Sequence, residues 1–147
     1  MGKDPDLYQP FRPMRARPIA YTFAVGIVVA MVALAVFVPG AEALDRIGFV
    51  AVGLLIAAVL YRQATVAAIP SATGLRVRNL IHTTSLEWAQ IVNVRLGDDP
   101  WVRLDLSDGD TLSVMGIQRA DGAQHTRTEA TRLAELVALH NQADAPD

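Results

Sequence analysis

"LDLSDGDTLSV", residues 104–114, sets apolar side chains at alternate positions on either side of an acid-rich turn. Alternation marks a half-buried strand, so the stretch reads as a hairpin, and its register decides which face of a sheet is apolar. A two-residue turn of Asp108 and Gly109 would oppose Leu106 to Thr111 and Leu104 to Ser113, mixing core and solvent residues on each face. A three-residue loop, 107–109, opposes Leu106 to Asp110, Leu104 to Leu112 and Val102 to Val114, and the apolar faces agree. This is a type I turn with a G1 bulge, whose last loop residue needs φ > 0, a role for Gly109. The acids do not form a calcium loop. An EF-hand needs oxygen ligands at positions 1, 3, 5 and 12 with Gly at 6, whereas counting from Asp105 puts Gly109 at 5, Asp110 at 6 and Gly116 at 12.

Outward from the hairpin the same period recurs. Residues 64–69, 74–81, 82–88, 91–96, 101–106 and 111–117 each read as a strand, separated by Pro, Gly, Ser and Asp clusters. Beyond "RADGAQ" the period changes: Ala130, Leu133, Ala134 and Val137, flanked by Leu136, recur at helical spacing, and Thr126 with Glu129 predicts a capping box. The expectation is a β-barrel or curved sheet of six to seven strands, capped by a C-terminal helix of about four turns. From residue 63 onward seven arginines face eleven Asp and Glu, a formal net charge of −4. General attraction to nucleic acid is therefore not expected. Arg76 and Arg78, two apart on one strand face, are the local exception.

The runs "TGLRVRN" (73–79), "SLEWAQIVNV" (85–94) and "VRLDLSDGDTLSV" (102–114), closed by a helix, resemble the bacterial pleckstrin-homology-like (PH-like) domain of small actinobacterial membrane proteins. The resemblance implies a two-helix membrane hairpin before the domain, a curved sheet with a C-terminal helix, and a binding or scaffolding role without catalytic residues. Eukaryotic PH domains hold phosphoinositides with basic residues around their first hairpin, so the resemblance makes Arg76 and Arg78 the place for a lipid headgroup.

The rest of the chain fits a hairpin in a membrane. Hydrophobic residues make up 52% of the sequence, and the excess is localised. Residues 19–38, "IAYTFAVGIVVAMVALAVFV", are twenty positions without a charge, enough for a helix to cross about 30 Å of hydrocarbon. A second run, 47–61, is shorter, with Arg46 and Arg62 placed to snorkel at its ends. "AEA" at 41–43 also has the small-x-small form of a processing site, but the first run is long for a signal peptide and a second follows at once. Lys3, Arg12, Arg15 and Arg17 precede the spans and Arg62, Arg76 and Arg78 follow them, while the connection "PGAEALDR" holds Arg46 alone. This bias places both termini and the C-terminal domain in the cytoplasm of a bacterial inner (cytoplasmic) membrane protein. The expected divisions are a basic juxtamembrane tail (1–18), a transmembrane hairpin (19–62), a PH-like domain (63–141) and a disordered tail (142–147).

Motifs for chemistry are missing from the sequence. There is no cysteine, and no GxSxG, SxxK, GxGxxG or P-loop pattern. His82, His125 and His140 stand apart, suggesting surface or capping roles. No catalytic residue, cofactor, metal site or small-molecule substrate is expected. The tail interleaves Tyr8, Phe11 and Met14 with Arg12, Arg15 and Arg17, a topology signal with aromatic anchors at the headgroup level. Trp88 is expected in the core and Trp101, at a strand start beside Asp98 and Asp99, on an interface. The candidate contact residues are thus Arg12, Arg15, Arg17, Arg76, Arg78 and Trp101. The expected function is non-enzymatic: a membrane-tethered PH-like domain contacting other membrane proteins as an accessory or scaffold element. The alternative is a lipid-headgroup sensor.

Overall fold

The structure, a computed structural model, describes residues 6–143. These form two compact units: Arg15–Thr65, and the flanking residues 6–14 together with everything from Val66.

The first unit is two helices, α1 (Ala16–Phe37) and α2 (Ala43–Ala64), each of 22 residues and each long and apolar enough to cross a membrane. They run antiparallel. Tyr21 meets Tyr61 at 6.2 Å, and at Gly53 an added Cβ would come within 2.8 Å of the Met31 side chain, so the helices approach closely there. At Gly26 and Gly48, by contrast, an added Cβ would meet open space. Arg46 does not simply extend outward. Inside a helix the Ala35 carbonyl would accept from residue 39, but Pro39 has no N–H, and Arg46 Nη1 donates to that oxygen at 2.8 Å. Its Nε also donates to the Ala41 carbonyl at 3.2 Å. Glu42 and Asp45 form a capping box on α2.

The second unit holds six strands in two antiparallel sheets. β1 (Ala67–Pro70), β2 (Gly74–Arg78) and β3 (Thr83–Glu87) pair in sequence order, as do β4 (Ile91–Arg95), β5 (Trp101–Leu106) and β6 (Thr111–Gln118). The 104–114 hairpin has the expected register: Leu104 opposes Leu112, Val102 opposes Val114, and Leu106 N–H bonds the Asp110 carbonyl at 2.9 Å. Gly109 sits at φ +91°. Leu75, Val77 and Leu86 from the first sheet and Ile91, Val102, Leu104 and Val114 from the second share one core with Leu133, Leu136 and Val137 of α3 (Ala123–Ala143).

The sheets do not close into a barrel. Asn79, just past β2, spans the gap: its Nδ2 donates to the Ser113 carbonyl at 2.7 Å and its Oδ1 accepts from Met115 N–H at 3.2 Å. One side-chain amide thus substitutes for a missing ladder step. The capping-box expectation is corrected as well. α3 begins at Ala123, so buried Thr126 lies within its first turn, where its hydroxyl donates to the Gln118 and Gly122 carbonyls, and Glu129 pairs with Arg132 at 2.6 Å. At 21 residues the helix is longer than expected and includes positions 142–143. Residues 144–147 of the expected tail lie outside the described residues.

The tail differs most from expectation. Phe11 is 0% exposed. Its N–H and carbonyl pair with Ala68 at 2.8 and 3.0 Å, adding a one-residue fourth strand to the edge of the first sheet. Gly116 of β6 makes room, since a Cβ there would lie 2.7 Å from the Phe11 carbonyl oxygen. The Arg132 guanidinium stacks 3.8 Å over the Phe11 ring and donates to the carbonyls of Asp6, Leu7 and Gln9. Phe11 is therefore core, not a headgroup anchor: burying its ring against aliphatic side chains and a cation outweighs leaving it at an interface. Along the chain, both helices fall between this short strand and β1.

Candidate functional site

An open cleft of about 860 Å³ lies at one end of the first sheet. Its wall is the β1–β2 turn, residues 71–74. Ser71 N–H donates to the Gly74 carbonyl at 2.8 Å, and the Ser71 hydroxyl also reaches that carbonyl, at 2.9 Å. Gly74 cannot be replaced simply: a Cβ there would lie 2.0 Å from the Leu86 carbonyl oxygen. The opposite wall is the end of β3 with the 3-10 turn Trp88–Gln90, where Glu87 and Gln90 cap each other reciprocally.

Trp88 ties the walls together. It is 3% exposed, its Nε1 donates to the Ser71 carbonyl at 3.0 Å, and its ring stacks on that of His140 at 4.8 Å with 1° between planes. His140 Nε2 in turn shares a 2.8 Å hydrogen bond with the phenol oxygen Oη of Tyr8. The tail, the C-terminal helix and the cleft are thus linked through one aromatic stack. Toward solvent the cleft offers the hydroxyls of Ser71, Thr73 and Ser85, the exposed guanidinium of Arg76 and the carboxylate of Glu87. Such a mixture can hydrogen-bond a polar, extended segment. It presents no single sign of charge to a polyanion.

The six candidate residues do not converge. Arg76 lines the cleft; Arg78 shares its outward strand face but sits at the opposite end of β2, in register with Thr83 and Ala67. Arg12 is exposed beside Phe11, and Arg15 occupies the N-cap position of α1. Arg17 Nε donates to the Ala64 carbonyl at 3.0 Å, satisfying the end of α2. Trp101 is half-buried, opposite Gln118. Trp88 is core as expected, but His140 is neither a surface nor a capping residue. Its position was readable: seven residues after Leu133, it continues the buried stripe of α3.

The acids of the 104–114 hairpin are engaged locally. Asp105 pairs with Arg95 at 2.7 Å, and Asp108 accepts the Asp110 N–H at 3.0 Å. Among the described residues no group of three or more His, Asp or Glu is gathered to hold a metal ion.

Residues 65–136 match the family model described as a bacterial PH domain. The chain belongs to the bacterial PH domain family. It is also 30% identical over 112 residues to uncharacterized proteins of Mycobacterium bovis and Mycobacterium tuberculosis, covering 74% of this chain and 73% of each relative. That share exceeds everything after residue 65, so the likeness extends into the helical pair. No solved structure matches the chain significantly. The matches indicate no enzymatic family.

Proposed function

We propose that this PH-like domain protein is anchored in the bacterial cytoplasmic membrane by α1 and α2, and that its domain, on the cytoplasmic side, takes a polar segment of another membrane-associated protein in the cleft. The reading is of a non-enzymatic adaptor or scaffold element. Sidedness is supported by the arginines that flank the helical pair and are sparse in its connecting loop. One observation carries the partner reading. The chain enters the first sheet at Val66 and Ala67, whereas the cleft lies at the other end of that sheet, around Ser71 and Glu87. A cleft at the end of the sheet remote from the chain's entry is left open to whatever else is held at the membrane. Tethering raises the effective concentration of such partners, so a weak contact suffices.

The test is site-specific photo-crosslinking in cells. A photoreactive residue in place of Ala72, on the cleft wall, is expected to give a discrete protein adduct that is absent when the same group replaces Asp108. Equal labelling from both positions would refute the assignment. The outward face shared by Arg76 and Arg78 favours lipid-headgroup sensing as the second reading. That reading requires residues 76 and 78 to matter to binding of anionic vesicles, and an unchanged response in R76A/R78A would remove it.

A further inference from the structure

The outer strands of the two sheets are β1, β3, β4 and β6, and three of these edges are engaged. On β1, Ala68 pairs with Phe11. On β6, the Asn79 side chain bonds the Ser113 carbonyl and the Met115 N–H. β4 carries a bulge between Ile91 and Asn93, and Asn141 of α3 donates to the Ile91 carbonyl at 3.1 Å. β3 is different. It keeps unbroken register with β2 and has no bulge, proline or lysine of the kind that blunts a sheet edge.

The main-chain groups that β3 turns outward follow from the alternation of an antiparallel ladder. Ala68 commits both its N–H and its carbonyl to Phe11, so Ala67 and Ile69 are the residues that bond β2, at Arg78 and Arg76. Leu75 and Val77 then direct their groups to Leu86 and Thr84 of β3. The Asn79 N–H on the His82 carbonyl continues the same alternation. Thr83, Ser85 and Glu87 are left facing away from the sheet. The Glu87 N–H is taken by Gln90 Oε1 at 2.8 Å, in agreement with that direction. Among the described residues no protein group bonds the outward N–H and carbonyl of Thr83 and Ser85, both exposed.

Two donors and two acceptors alternating over about 7 Å match the main chain of an extended strand. Ser85 also lines the cleft, and Arg76 is its neighbour across the sheet. Arg76 is exposed and has no ion pair among the described residues. A strand added beyond β3 sets the side chain opposite Ser85 on the same face as Arg76, with only the small serine between them. A second copy of this chain does not suit that position. Opposing the free groups of Ser85 to those of Ser85 or Thr83 in a second copy puts Arg76 in one row with that copy's Arg76 or Arg78, and like charges count against the pairing.

We infer that the free edge of β3 takes an extended segment of a partner protein as an added strand, with an acidic side chain opposite Ser85 paired to Arg76. The inference rests on the partner reading of the cleft and gives its occupant a conformation and a charge. Main-chain bonds hold the segment whatever its sequence, and the acid at Arg76 supplies selection.

The test uses the full chain in cells, with the photoreactive residue in place of Ala72, and reads the yield of its protein adduct. Ser85→Pro removes an outward N–H without touching the β2 ladder, and should lower the yield about fivefold. Ser85→Val keeps that N–H and should hold the yield. Arg76→Glu should lower it about two- to fivefold. The fluorescence of Trp88 and Trp101 reports that each purified variant is folded. A second measurement needs no variant at the edge: amide exchange at Ser85 should be about tenfold slower in the purified adduct than in the free protein. Equal exchange in the two, or a folded S85P with undiminished yield, overturns the strand pairing and leaves the cleft contact in place. A loss in S85V equal to that in S85P makes the contact a side-chain one and overturns it too. If S85P does not fold, exchange at Ser85 decides. An undiminished yield in R76E overturns the acid, and an adduct of twice the chain's mass is the self-paired dimer and overturns the partner. No adduct from position 72 removes the cleft reading and this one together.

Discussion

The helical pair and the β unit use the same apolar residue types in opposite ways. In the β unit Phe11, Leu104, Leu133 and Leu136 are fully enclosed, and both sheets and α3 converge on one core. In the helical pair Phe23, Phe37, Leu44 and Leu55 point away from the protein, with Phe37 80% exposed. In water each square ångström of such surface costs about 25 cal/mol, whereas in hydrocarbon no hydrophobic drive pulls helices together and small residues and hydrogen bonds hold them. Gly53 against Met31, and Arg46 on the Ala35 carbonyl, are contacts of that second kind. The contrast supports the membrane reading proposed above and indicates where a substitution should be felt.

The largest expected effect tests that contrast directly. Phe11→Ala empties a fully enclosed site and removes the ring under Arg132, so it should destabilise the β unit by about 3–5 kcal/mol. Phe37→Ala, on the exposed helix surface, should change the stability of the β unit by less than about 0.5 kcal/mol. Denaturant unfolding in detergent, followed by the fluorescence of Trp88 and Trp101, which lie in the β unit, measures both. Equal losses would mean that the tail is not part of the β core.

Why Phe11 was not legible in the sequence is instructive. The six strands and α3 announce themselves by period, the two long helices by their uncharged apolar runs, and the 107–109 turn by the register of the strands it joins. A single bridge has no period. Phe11 follows Pro10 in an arginine-rich tail, 57 positions before its partner Ala68, with the whole helical pair between. The reading of Thr126 and Glu129 failed for a related reason: the local capping pattern is present, but buried Thr126 bonds the Gln118 carbonyl, a tertiary partner before the helix. The cleft was legible only in part. Arg76 was marked by its charge, whereas Ser71 and His140 acquire their roles through Trp88, to which no spacing rule links them.

A smaller effect is expected where the two sheets are stitched rather than packed. Asn79→Ala leaves the Ser113 carbonyl and the Met115 N–H without their partner, a cost of about 1–3 kcal/mol. Asn79→Asp retains the acceptor for Met115 but turns a second acceptor oxygen on the Ser113 carbonyl, so it should recover none of it. If the two variants unfold alike, the donor bond to Ser113 carries the seam. Gly109→Val follows, at about 1–2 kcal/mol, because a β-branched residue resists the φ of +91° that the turn requires.

The smallest effect belongs to Asp110 in the same turn, and it separates a fold requirement from a chemical one. What Asp110 contributes is main chain: its carbonyl accepts from Leu106 N–H at 2.9 Å and its N–H donates to Asp108 at 3.0 Å. Asp110→Ala keeps both bonds and removes only an exposed carboxylate, so the unfolding midpoint should move by less than about 0.5 kcal/mol. Were the three acids a cation site, that carboxylate would be a ligand, and calcium would stabilise the wild-type protein through preferential binding to the folded state. Melting the wild type and D110A with calcium and with chelator distinguishes the two. Four coincident transitions are expected, because Asp105 is committed to Arg95 and Asp108 to the turn. A calcium-dependent rise in the wild type that disappears in D110A would make this hairpin a binding loop after all.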